Sequence, residues 1–149
     1  MKKLIGLGLS LVLLASSTGQ LSAIAQDGAR KPPPGEGVLC AWSIMAAIAE
    51  IGRKCHAGED VELQGKLDGA VARIDAYVLA NSDPATTRAQ IEEFKRIQGH
   101  NDVPAGKMCV PGDGEIMYQE FARAEPDMIR TWLDELLARP GNPSWGTCL

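Results

Sequence analysis

The stretch Cys40–His56, CAWSIMAAIAEIGRKCH, decides the fold class. Cys40, Ile44, Ala47, Ile48, Ile51 and Cys55 recur at spacings of three and four, the signature of one face of an α-helix. Fifteen residues at 100° each carry Cys55 about 60° around the axis from Cys40 and roughly 22 Å along it. A disulfide requires Cα atoms within about 7 Å. One helix therefore excludes a Cys40–Cys55 bond, leaving two of the connectivities that four cysteines allow. Each thiol must tie the helix to a different part of the chain. Gly37 fits the N-cap, with Glu36 on the side the dipole favours. Arg53, Lys54 and His56 supply cations to the last turn, and Gly58 suits a left-handed C′ position. Trp42 falls outside the main stripe and reads as a partly buried packing residue.

Upstream, Met1, Lys2 and Lys3 precede an apolar run, Leu4–Ala15, and Ala23-Ile24-Ala25 has small-x-small character. This is the pattern of a secretory signal peptide over residues 1–25, with the mature chain starting at Gln26. The apolar run is well short of the ~20 residues that a membrane-spanning helix requires, and no cysteine near the cleavage site suggests a lipoprotein. The expected product is exported to the periplasm or beyond, with no membrane span after cleavage. Residues 26–37, QDGARKPPPGEG, read as a stiff, solvated Pro/Gly leader, and residues 38–149 as one domain.

Removing residues 1–25 takes away two lysines and no acids, so the formal charge moves from −4 to −6. An acidic chain without a basic stripe is a poor partner for nucleic acid. Four cysteines in an oxidising compartment read as two disulfides. Alanine and leucine are abundant and alternating β-branched runs nearly absent, which predicts an all-α domain.

A second helix is expected from an Asp60 N-cap to about Ala80, with Leu63, Leu67, Ala70, Val71, Ile74, Tyr77 and Val78 on its apolar side. Gly65 and Gly69, four apart, suggest close approach of another helix. Asp83 as N-cap and Pro84 at the first position open a third helix carrying Ile91, Phe94 and Ile97 and ending at Gly99. Residues 99–112 form an irregular loop holding Cys109. Asp113 and Glu115 open a fourth helical region, with Ile116, Met117, Phe121, Ile129, Trp132, Leu133 and Leu136 apolar. Pro126 either kinks it or separates two helices.

Short links favour antiparallel neighbours, so the chain reads as a small bundle of four to five helices. Up-down order brings Cys109 to the Cys55 end of the first helix and Cys148 to the Cys40 end. The predicted disulfides are Cys40–Cys148 and Cys55–Cys109.

Catalytic chemistry finds no nominee. There is no G-x-S-x-G, a paired cysteine is not a nucleophile, and Glu92-Glu93 and Asp134-Glu135 are adjacent carboxylates that diverge on a helix. Cys55, His56, His100 and Cys109 would converge as a Cys₂His₂ set able to hold zinc, but the spacing matches no compact metal motif. Disulfide formation is the reading adopted, with no metal and no cofactor.

Cys109-Val110-Pro111, then Phe121, Glu125-Pro126, a leucine-rich helix and Trp145-Gly146 before Cys148 form a recognisable series. It resembles the C-terminal half of the Tai-type immunity proteins, the family that neutralises type VI secretion amidase effectors. The resemblance spans Cys109 to Cys148. It implies a periplasmic helical protein that often self-associates, and that blocks a peptidoglycan amidase by occluding its cleft without doing chemistry itself. His100, Asn101, Asp102 and Val103, in a long loop on a rigid scaffold, are the candidate partner-binding plug. A competing reading is a small carrier of an apolar ligand, with Met45, Met108, Met117 and Met128 lining the pocket. A structural envelope protein is the third.

Overall fold

Eighteen residues, Val38–Cys55, form the axial helix α1 of the computed structural model, which describes residues 31–146. The chain divides into two units, Met1–Lys31 and Pro32–Leu149, and the six helices belong to the second. The expected signal peptide, its cleavage site and Cys148 lie outside the described residues. Six helices follow in order: α1, α2 (Val61–Asn81), α3 (Arg88–Gln98), the one-turn α4 (Ala105–Met108), α5 (Asp113–Arg123) and α6 (Met128–Leu136). No strand occurs among the described residues, so the domain is all-α as expected. The count exceeds the expected four to five because the long loop contains a helical turn and Pro126 separates α5 from α6 outright.

α1 starts at Gly37, in left-handed conformation at φ 81°, and ends at His56. It is the centre of the fold rather than one wall of it. Trp42, Met45, Ala49 and Gly52 are buried along with Ile48 and Ile51, whereas Ile44 and Ala47 of the expected stripe are only half-buried. A helix enclosed by neighbours on several sides has no single apolar stripe. Trp42 is 2% exposed, its ring stacked on Phe94 at a centroid distance of 4.0 Å. Its indole N–H donates to Asp75 Oδ1 at 2.8 Å, giving the buried donor its acceptor. Lys95 reaches the other Asp75 oxygen at 3.0 Å, so α1, α2 and α3 meet at one half-buried carboxylate.

α2 runs antiparallel to α1, with Arg53 paired to Asp68 near one end and Trp42 to Asp75 near the other. Leu67, Ala70, Ile74, Tyr77 and Val78 are buried as the spacing requires. Gly65 and Gly69 do not mark a close helix approach. A Cβ on either would meet nothing within 4 Å, and both stay exposed beside an open groove.

α3 begins later than expected. Thr87, not Asp83, is its N-cap: Thr87 Oγ1 accepts from Gln90 N, and Gln90 Oε1 accepts from Thr87 N. The Asp83-Pro84 peptide is cis, and Pro84 lies in the turn before the helix. Ile91 is buried, but Ile97 is 51% exposed because the buried face of this short helix is narrow.

α6 runs alongside α2 in the same direction, with Asp134 paired to Arg73 and Tyr77 Oη donating to the carbonyls of Arg139 and Gly141. The tail then returns to the start of α1. Ser144 N donates to Gly35 O at 2.9 Å, and Leu39 N to Ser144 O at 3.2 Å. Residues 33–37, expected to be solvated spacer, are thus part of the domain. Gly35 sits at φ 83°, where a Cβ would collide with Asn142 O, so the crossing of the two chain ends depends on glycine.

Candidate functional site

The Cys55 end of α1, here the head, gathers the loop 99–112, the start of α2 and the start of α5. The Cys55–Cys109 disulfide closes it, with Cα atoms 5.3 Å apart and a sequence separation of 54. This is one of the two expected bonds. Cys40 is also a disulfide cysteine, and its expected partner Cys148 lies outside the described residues. Because Cys55 and Cys109 are bonded to each other, neither is available as a thiolate ligand, and the Cys₂His₂ arrangement does not form.

His56 follows Cys55 directly and is held on three sides. Its Nδ1 lies 3.0 Å from Glu59 Oε2 and its Nε2 3.0 Å from Glu115 Oε2. Its ring lies flat on Tyr118 at 4.1 Å between centroids, with 3° between the planes. Tyr118 Oη in turn donates to Asp60 Oδ2 at 3.1 Å, so Asp60 faces α5 instead of capping α2 with its side chain. Burial alone would lower the His56 pKa, but the hydrogen bonds and charges of Glu115 and Glu59 outweigh it and raise it above the ordinary 6.5. Glu115 is correspondingly lowered, chiefly by His56. Burial, then the bond to Asp60, pushes the Tyr118 hydroxyl up to about 12.

Lys54 organises the loop. Its ammonium donates to the carbonyls of Asn101 and Val103, each at 2.7 Å, while pairing with Glu50 at 2.8 Å. Glu50 is buried and also takes two bonds from Arg53. Burial would raise its carboxyl, but Lys54 and Arg53 hold it below the usual range. At the loop's start Gly99 is buried against α1. A Cβ there would lie 2.6 Å from Lys95 O and 2.8 Å from Asn101 Oδ1. His100 adopts φ 56°, and Asp102 pairs with Arg96.

The four expected plug residues therefore sit at the head, but not as a free projection. His100, Asn101 and Asp102 expose their side chains while their backbone is fastened to α1 and α3, and Val103 is half-buried. Downstream of the bridge, Val110, Ile116 and Met117 are 51%, 60% and 40% exposed. Ile116 and Met117 were expected to face the core. That position belongs to Tyr118, 1% exposed, and the helix turns its aliphatic residues outward.

Reading the residues alone missed Lys54, taken only as a dipole cation, and the Glu59–His56–Glu115 set. The available signal was Tyr118, three residues after Glu115 and three before Phe121, an i, i+3 row on one helix face. The adjacent carboxylates behave as surface pairs: Glu92 meets Lys95, Glu93 meets Arg96, and Asp134 meets Arg73. Among the methionines, Met45 is fully buried in the core, Met108 is half-buried, and Met117 and Met128 are exposed.

Fold and head together define a small all-α domain with a disulfide-pinned, apolar-tipped end. No described helix is long and apolar enough to cross a membrane. Compared with protein-family models, curated proteins and solved structures, the chain finds no significant match.

Proposed function

We propose that the protein is an exported, non-enzymatic binding protein that uses its head to occlude a partner enzyme. The observation that carries this reading is the exposure of Val110, Ile116 and Met117 on a segment anchored by Cys109. An apolar patch held outward on a rigid support and rimmed by charged groups such as Asp102 is the kind of surface that marks a protein interface. The resemblance of Cys109–Cys148 to Tai-type immunity proteins names the partner class: a secreted peptidoglycan amidase, blocked without chemistry. In this reading His100–Val103 insert beside the apolar residues, and the Lys54 bonds keep the insertion shape before binding, which reduces the ordering cost. Export through a signal peptide cleaved after Ala25, a Cys40–Cys148 bond and self-association belong to the same proposal.

The test is a titration of the mature protein against such an amidase digesting peptidoglycan. Stoichiometric inhibition is expected, weakened at least about tenfold by Ile116→Ser with Met117→Ser, or by Gly/Ser at positions 100–103. Full inhibition by both variants would place the interface elsewhere, and no inhibition of any such amidase would remove the immunity reading.

The carrier reading draws on the groove between α2 and α6. Gly65, Gly69, Ala70, Ile129 and Leu133 line a space of about 390 Å³, with Lys66, Arg73, Arg130 and Asp127 also lining it and each cation paired with an acid. A small apolar ligand would suit its aliphatic floor. Displacement of a fluorescent fatty-acid probe, lost in a Gly69→Leu variant, would favour it.

A further inference from the structure

At the opposite end of α1, the foot of the domain holds a cleft of about 560 Å³ between α1, α2, the 82–87 turn, α3 and the tail. We propose that this cleft binds the pyranose rings of a short neutral oligosaccharide. Trp145 is the stacking platform, and Asp83, Gln90 and Gln98 are the hydroxyl partners.

Three aromatic rings build the wall. Trp42 lies beneath, stacked on Phe94, and Phe94 meets Trp145 at 6.0 Å between centroids and 37° between planes. Trp42 is 2% exposed and serves as floor, whereas Trp145 is 49% exposed and leaves ring surface open for stacking. An aromatic face is electron-rich, and the C–H face of a pyranose is weakly positive and flat enough to lie on it.

Hydroxyls both donate and accept, so a sugar site needs both complements. Gln90 Oε1 is occupied by Thr87 N and Thr87 Oγ1 at 2.8 and 2.9 Å, and Gln98 Oε1 by Ser43 Oγ at 3.1 Å. Both amides are thereby fixed with their N–H₂ groups left as donors; among the described residues these groups have no acceptor. The Asp83 carboxylate supplies the acceptor, and it too has no side-chain partner among the described residues. Its backbone is held by reciprocal bonds with the Asn142 side chain, 3.0 and 3.1 Å long. Asp83 and the tail bearing Trp145 are thus positioned before any ligand arrives, which limits the entropy lost on binding.

The same groups select the class of ligand. Asp83 is the one charged residue lining the cleft, so a phosphorylated or otherwise anionic ligand would be repelled. A proline-rich peptide would stack on Trp145 but present only carbonyl acceptors, leaving the Asp83 carboxylate opposed to them. A sugar hydroxyl can donate to Asp83 while a neighbouring oxygen accepts from Gln90 or Gln98.

The test is calorimetric and tryptophan-fluorescence titration of the mature chain with triacetylchitotriose, cellotriose, maltotriose and, as the peptide alternative, decaproline. At least one trisaccharide is expected to bind saturably, with a Kd on the order of millimolar or tighter. Trp145→Ala should weaken it at least about tenfold without altering circular dichroism. Trp145→Phe should retain part of the affinity, Asp83→Asn should weaken it several-fold, and Trp132→Phe should leave it unchanged. Failure of all three sugars to bind at about 10 mM, binding that survives Trp145→Ala, or binding of decaproline alone would each overturn the proposal.

Discussion

With a carboxylate oxygen 3.0 Å from each ring nitrogen, His56 satisfies both bonds only as the imidazolium, because the neutral ring has a single N–H. Its pKa is raised in the folded chain. The protonated form is therefore favoured by folding, and the stability it contributes is complete below the unfolded value of 6.5. That contribution is lost as pH climbs through the higher folded value. Glu115 works in the opposite direction: lowered below 4.5, it adds stability above that value and loses it on acidification. The cluster should give maximal thermal stability between these limits, with a decline as pH rises above 6.5. Melting curves across that range test it, and His56→Gln should flatten the alkaline limb. An unchanged limb in the variant would show that another group carries the decline. The sequence offered His56 as a helix-end cation and as one member of a Cys₂His₂ set, not as the centre of a carboxylate pair. Its charge depends on Glu59, three residues away in the same turn, and on Glu115, which approaches only once α5 has folded onto α1. The Glu115, Tyr118, Phe121 spacing sets one face of α5 but does not say which residue of α1 that face meets.

Elements were legible where local chemistry and burial agree. Asp60 and the Leu67–Val78 stripe define α2 from sequence because only one side of that helix faces the core. Two signals misled. Asp83-Pro84 looks like a helix start, but Thr87-x-x-Gln90 three residues later satisfies two backbone donors at once and fixes the boundary. Thr87→Ala should accordingly lower stability by about 1 kcal/mol, or roughly 4 °C in Tm, while Asp83→Ala should have no capping effect. A larger loss from Asp83→Ala would return the cap to the earlier position. In α5, Ile116 and Met117 read as core by composition, yet the contacts made by Tyr118 with His56 and Asp60 rotate the helix so that they emerge. Hydropathy alone does not distinguish an aliphatic side chain that fills the core from one left for a partner. For that reason the apolar tip became visible only in the structure.

At the scale of the molecule, α1 is fastened at both ends. At the foot, Gly35 and Ser144 join the entering and leaving chain; at the head, Cys55–Cys109, Lys54 and His56 hold the loop and α5. The all-α class and the Cys55–Cys109 bond followed from helix length and up-down order, which are long-range consequences of a short-range period. That order also brought the tail to the foot, but not the part of residues 33–37 in holding it, since Pro- and Gly-rich segments carry no burial pattern to read. These attachments are unequal in kind. The disulfide restrains the unfolded chain across 54 residues, worth up to about 4 kcal/mol by chain entropy, whereas the Lys54 and His56 bonds act only once the head has formed. The Cys55→Ser/Cys109→Ser variant should therefore lose several kcal/mol in urea unfolding and still reach the native fold at neutral pH, because the polar ties remain. Hydrogen exchange should accelerate across residues 99–112 and at the start of α5, but not in α3 or the tail. If exchange rose evenly through all six helices, the head would not be a separately fastened unit, and the division of labour between the two ends of α1 would fail.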